Sequence, residues 1–244
     1  MFAKASLPMY DWPELRSATD EFWAGFAHYA GIKGGLDRSG AYDAVWRDTA
    51  MIFSQTCGYP FTHEFAGVLN YIASPHYAAE GCYGPNYSSL IFAREPLTLA
   101  QFRNTKPAVN TMDSMSGMLA LKLVFANHDN ALVEPLITGS HTASMAAVQK
   151  GQADVCAIDA VVAALARRHR PELLEGLIEI ACSPRVPSLP FVTRNGNVVV
   201  LREALRKAFA DPTLATARAT LLLTGFTILP DDAYAVIQRL EARL

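Results

Sequence analysis

The sequence predicts an α/β chain folded as two lobes with a ligand cleft between them, and three observations carry that expectation. Between residues 107 and 182 short apolar runs alternate with helical stretches of roughly 10 to 15 residues, the pattern of βαβ units. A segment with three prolines, "SPRVPSLPFVT", then reads as a return crossing, and the last 45 or so residues are mostly helical in pattern. Polar residues cluster where strands end, which is where such folds place ligands.

Taken in order, residues 2 to 9 read as a strand. Pro13 and Glu14 open a helix running to about Ile32, with Leu15, Phe22, Trp23, Phe26 and Tyr29 at helical spacing; that stripe reads as core. "IKGGLDRSG" is a loop, and "TAMIFSQTCGYP", "GVLNYIASPHY" and "SSLIFARE" are strands. After Pro96 follow a small helix around "TLAQFRN", the strand "KPAVN", a helix over 116–127 and the strand "VEPLITG". Next come the helix "SHTASMAAVQKG", the strand "ADVCAID", a helix over 160–169 and the strand "LIEIACS". The helices "LREALRKAFAD", "TLATARATLLLTG" and "DDAYAVIQRLEARL" close the chain. With 244 residues there is room for two lobes of roughly 120 residues each. The order of elements puts 1–95 with 190–244 in one lobe and 96–189 in the other.

Composition excludes several classes. A net charge of −2, from 21 basic and 23 acidic side chains, leaves no basic footprint for nucleic acid. The dense run Arg167-Arg168-His169-Arg170 closes a helix, where cations complement the dipole. Cys57, Cys82, Cys156 and Cys182 show no metal-ligand spacing, so neither a metal nor a cofactor is expected. No run approaches the roughly 18 apolar residues of a membrane span. "MFAKASLPMY" holds one lysine and no apolar core of secretory length, so the chain as written is expected to be cytoplasmic, and periplasmic if it is a processed form.

The most informative stretch is "VNTMDSMSGMLALKLVF". Asn110, Ser114, Met115, Ser116 and Gly117 stand where a strand hands over to a helix, whose first N–H groups and dipole make a ready anion site. Tyr10, Gln55 with Thr56, Ser140 with His141, and Asp159 sit at four further strand ends. Singly, a serine or aspartate there is most simply a helix cap, and a histidine merely exposed. Five polar strand ends in one α/β chain point together to one cleft.

The segments "SLPMYD", "FSQTCGYP", "VNTMDSMSG", "TGSHTASMAAVQKGQADVCAID" and "PSLPFVT" resemble, in order from Ala5 to about Thr193, the PhnD-like phosphate/phosphonate substrate-binding proteins of ABC transporters, of the PhnD/SsuA/transferrin type. That resemblance implies a periplasmic-binding-protein-like (type II) fold and a two-lobe protein that closes on a small oxyanion such as phosphate, phosphonate or phosphite. It implies an ABC permease as partner. By the same resemblance the turn Ser114–Gly117 with Asn110 holds the oxyanion and His141 is the second anion ligand. Tyr10 and Gln55 face the ligand from the first lobe, and Asp159 accepts from a ligand amine or protonated oxygen. The competing expectation is a cytosolic enzyme on the same scaffold, like relatives in pyrimidine and menaquinone biosynthesis, with His141 as acid/base and Cys57 as thiol.

Overall fold

The computed structural model describes residues 4–96, 98, 101, 103–126 and 132–244. Its first segment holds β1 (Lys4–Ser6), α1 (Arg16–Ala30), α2 (Ala44–Arg47), β2 (Met51–Gln55), α3 (Gly58–Thr62) and β3 (Asn70–Tyr77). The middle of the chain forms β4 (Cys82–Tyr83), β5 (Asn86–Tyr87), β6 (Ser89–Ala93), β7 (Pro107–Val109), α4 (Ala120–Phe125) and β8 (Leu136–Ile137). It continues through α5 (His141–Gln149), β9 (Val155–Asp159), α6 (Ala160–His169), β10 (Ile178–Cys182) and β11 (Val186–Pro187). The return adds β12 (Phe191–Thr193), α7 (Val198–Ala210), α8 (Ala215–Thr220) and β13 (Leu223–Thr227), and the chain ends on α9 (Ala235–Glu241).

The chain divides into two units, Met1–Ala78 with Pro187–Asp231 and Ala79–Val186 with Asp232–Leu244. The boundaries fall at 78/79 and 186/187, against 95/96 and 189/190 by sequence, and α9 belongs to the second unit instead of the first. The reason is pairing: β6 adds to β9 along its whole length, from Ser89↔Asp159 to Ala93↔Val155, so residues 79–95 fold with the second unit.

In the first unit the sheet order is β1-β2-β12-β3-β13. β1 runs parallel to β2, while β12 is antiparallel to both β2 and β3, and β13 antiparallel to β3. The proline-rich return, expected only as a crossing, thus supplies the middle strand. "TLATARATLLLTG", expected as a helix, is the short α8 followed by β13. The first strand stops at Ser6, not near Tyr10. The aromatic stripe of α1 is core as expected: Phe22, Trp23 and Phe26 are buried, and the Phe26 and Phe53 rings lie 4.3 Å apart. Burial of such rings supplies much of the apolar driving force.

In the second unit the order is β10-β6-β9-β7-β8, and β11, β5 and β4 form a separate three-stranded sheet. The βαβ pattern implied parallel neighbours. Instead β10 and β6 pair antiparallel, as do β6 and β9, and only β9, β7 and β8 run parallel. Ile91, Val109, Leu121, Phe125 and Val155 form its core. The helix expected over 98–104 lies in part outside the described residues, as do position 127 of the helix expected over 116–127 and positions 2 and 3 of the first strand. Among the described residues no helix is long and apolar enough to cross a membrane.

Candidate functional site

Because β8, β7 and β9 are parallel, their carboxyl ends share one edge of the second unit's sheet. Three of the five polar strand ends singled out by sequence therefore lie side by side: Asn110–Gly117 after β7, Thr138–His141 after β8, and Asp159 at the end of β9.

The segment after β7 does not start an ordinary helix. Met115–Leu119 form a wide turn of the π type, closed by the Leu119 N–H donating to the Ser114 carbonyl at 3.0 Å, and α4 continues from it. Such turns recur at functional sites. Ser114 caps the turn in an extended conformation, its hydroxyl accepting from the Gly117 N–H at 3.0 Å. Met115 is buried, so its side chain anchors the turn in the core while its backbone remains in it. Ser116 Oγ lies 2.9 Å from His141 Nε2 and 3.5 Å from Ser114 Oγ. Two hydroxyls and an imidazole thus form one connected polar group, with both serines buried.

Gly117 is required by close approach: a Cβ there would lie 2.1 Å from Asn110 Oδ1. That oxygen is enclosed and makes no hydrogen bond, and the same holds for His141 Nδ1. The Asn110 backbone is tied down, its carbonyl accepting from the Gly139 N–H at 2.9 Å. Gly139 takes φ of 86°, the left-handed region that the turn after β8 needs. Ser140 caps α5, its hydroxyl accepting from the Ala143 N–H at 3.1 Å.

His141 opens α5 and is half-buried overall, with Nδ1 wholly enclosed. Burial pushes its imidazole down to about 4, with the backbone of Ala157 pulling weakly upward. The ring is neutral at physiological pH. Asp159, 1% exposed, accepts from the Val161 and Val162 N–H groups at 2.7 and 3.3 Å, so its carboxylate holds the start of α6. Its charge also helps burial push the Cys82 thiol up to about 12.

Thr138 was missed by sequence reasoning. Its hydroxyl donates toward the Val109 carbonyl at 3.0 Å and lies 2.7 Å from Ser144 Oγ, stitching the ends of β7, β8 and α5 together. A threonine in an apolar strand gives no signal of that role, since β-branching alone accounts for it.

Tyr10, Gln55 and Thr56 belong to the first unit. The Gln55 amide donates to Tyr77 Oη at 2.9 Å and to the Leu189 carbonyl at 3.0 Å, and Thr56 is fully buried. Tyr10 packs edge-on against Tyr77 at 5.5 Å. Tyr10, Thr19, Gln55 and Tyr77 are the polar part of an otherwise apolar recess lined by Leu15, Phe22 and Phe191. Among the described residues no group of histidine, cysteine and carboxylate side chains is placed to hold a metal ion.

Residues 48–234 match the family model of the periplasmic substrate-binding proteins of phosphonate ABC transporters. Among curated proteins none matches the chain. Similar solved structures include the binding-protein component of a phosphonate ABC transporter from Pseudomonas aeruginosa, 20% identical with a TM-score of 0.75 over 98% of this chain and 85% of that one. PhnD1 from Prochlorococcus marinus in complex with methylphosphonate is 14% identical, with a TM-score of 0.77 over 99% and 97%. A Xanthomonas citri protein bound to ATP is 20% identical, with a TM-score of 0.71 over 99% and 96%. At these identities the likeness establishes the fold.

Proposed function

We propose a ligand and a site for this chain from a firm premise: it belongs to the periplasmic substrate-binding proteins of phosphonate ABC transporters, a family of binding proteins and not of enzymes. Its cargo is a small tetrahedral oxyanion of the phosphate, phosphonate or phosphite type, which it passes to an ABC permease in the periplasm. The observation that carries this reading is the wide turn at Ser114–Leu119, where two buried hydroxyls, helix N-terminal N–H groups and His141 meet without a lysine or arginine. Neutral donors at a helix N-terminus hold an anion through dipole and hydrogen bonds, with no full counter-charge to desolvate.

In this reading Ser114 and Ser116 contact the oxyanion, His141 orients Ser116, and Asn110, Gly117 and Ser140 shape the cradle. Met115 contributes backbone, and Asp159 sets the neighbouring helix end. In the first unit Tyr10, backed by Gln55 and Thr56, is the candidate for touching a ligand substituent.

The test is a thermal-shift screen against phosphate, phosphite, methylphosphonate, 2-aminoethylphosphonate and sulfate, repeated on the double variant Ser114→Ala with Ser116→Ala. Hydrogen bonds to a charged group contribute about 1.5–3 kcal/mol each, so losing both weakens binding by at least about 100-fold. Loss of the Ser114 cap costs only about 1 kcal/mol, so the variant stays folded. A folded variant that binds these anions as the parent does contradicts the proposed site.

A further inference from the structure

We propose that the apolar recess of the first unit is a binding site for a short, uncharged alkyl group, the organic substituent of the ligand. This rests on the oxyanion reading above and adds the class of substituent: a short alkyl chain in preference to one that bears an amine.

The topology of the first sheet builds the recess. β1 and β2 are parallel, so Leu7 and Tyr10, which follow β1, and Gln55, which ends β2, stand on one edge. β12 is antiparallel to β2 and begins on that edge, with Phe191 opposite Gln55. β3 ends there too, and β13 begins beside it, with Leu223 opposite Tyr77. Leu15, Thr19 and Phe22, one stripe at helical spacing over the start of α1, complete the lining. Carboxyl ends of parallel strands are where α/β folds take ligands, and the Asn110–Gly117 turn stands on the same kind of edge in its own sheet.

The recess can be reached from solvent. Leu15, Phe22 and Phe191 are buried and form its floor, whereas Leu7, Tyr10 and Leu221 keep part of their surface exposed. Its volume is about 40 Å³. A single water needs roughly 10–15 Å³, so the space suits a chain of about three heavy atoms.

Its walls favour carbon over charge. The Gln55 amide is engaged by Tyr77 Oη and the Leu189 carbonyl, and the Thr19 hydroxyl donates to the Leu15 carbonyl at 3.1 Å. Among the described residues no lysine, arginine, histidine or carboxylate lines the recess. Asp11, next to Tyr10 in sequence, has both carboxylate oxygens accepting from Arg38. An ammonium entering the recess would lose its water and gain no counter-charge, whereas a methyl or methylene group gains by leaving water.

The experiment is calorimetric titration of the full chain at pH 5 with phosphite and with methyl-, ethyl-, propyl-, hexyl- and 2-aminoethylphosphonate. Affinity is expected to rise about fourfold per carbon buried from phosphite to propylphosphonate, with no further gain for hexylphosphonate. 2-Aminoethylphosphonate, with an ammonium where propylphosphonate has a methyl, is expected to bind about tenfold or more weakly than propylphosphonate. In Leu7→Phe, which enlarges a side chain at the mouth, the advantage of propylphosphonate over phosphite should shrink, and circular dichroism checks that the variant is folded. If Leu7→Phe does not fold, the ligand series on the unaltered chain decides the matter alone.

Equal affinity along the series overturns the inference and leaves the oxyanion reading standing. So does a rise that continues to hexylphosphonate, 2-aminoethylphosphonate binding as tightly as propylphosphonate, or a folded Leu7→Phe that keeps the full alkyl advantage. Absence of binding by every member of the series overturns both.

Discussion

His141 is held in its neutral form by its surroundings, and that has a consequence for stability. An unfolded chain exposes an imidazole of ordinary pKa, about 6.5, whereas the folded one titrates at about 4. Between those values the unfolded state takes up the proton first, so the folded state loses stability as pH falls from about 6.5 to about 4, and no more is lost below that. We expect His141→Gln to lack this part of the acid slope, read as melting temperature against pH for both chains. Parallel curves for the two would contradict a neutral, enclosed His141. The chemistry of this residue was legible in the sequence only as a histidine after a "TGS" turn; its bond to Ser116, 25 positions away, depends on β7 and β8 being neighbours.

At the scale of elements the turn at Met115–Leu119 sets the geometry of the candidate site. Asn110 Oδ1 lies where a side chain on Gly117 would have to go. Gly117→Ala should therefore displace Asn110 or open the turn. Overpacking of this kind costs roughly 1–3 kcal/mol, and anion binding should fall together with the melting temperature. Unchanged melting and unchanged affinity would show that the turn relaxes without using Asn110. Sequence placed a helix start here but could not reveal its wide first turn, because the same serines and glycine would cap an ordinary helix equally well. β13 was hidden for a related reason. "LLLTGFT" is an apolar run that suits a buried helix or a strand, and α8 stops where Leu222 takes φ of 59°, a break for which the sequence carries no glycine. The α6 boundaries, by contrast, were readable, since Asp159 caps one end and two arginines and a histidine crowd the other.

For the whole molecule, alternation of strands and helices was enough to name an α/β chain of two parts, but not to divide it. The division depends on β6 joining β9 and on β12 entering the middle of the first sheet, long-range pairings that local pattern does not encode. Sequence likewise gathered five polar strand ends. Three of them meet on one edge because β8, β7 and β9 are parallel, while Tyr10 and Gln55 serve the first unit, where Gln55 is occupied by Tyr77 and Leu189.

The central claim is that a small oxyanion is held at the turn after β7. It is tested most directly by assigned backbone amide chemical shifts of the isotope-labelled chain during titration with methylphosphonate at pH 5. In the second unit the account predicts the largest saturable changes at Met115–Leu119, with His141 ring signals moving at the same ligand concentration. Saturable binding that leaves those amides and the His141 ring unmoved would contradict it.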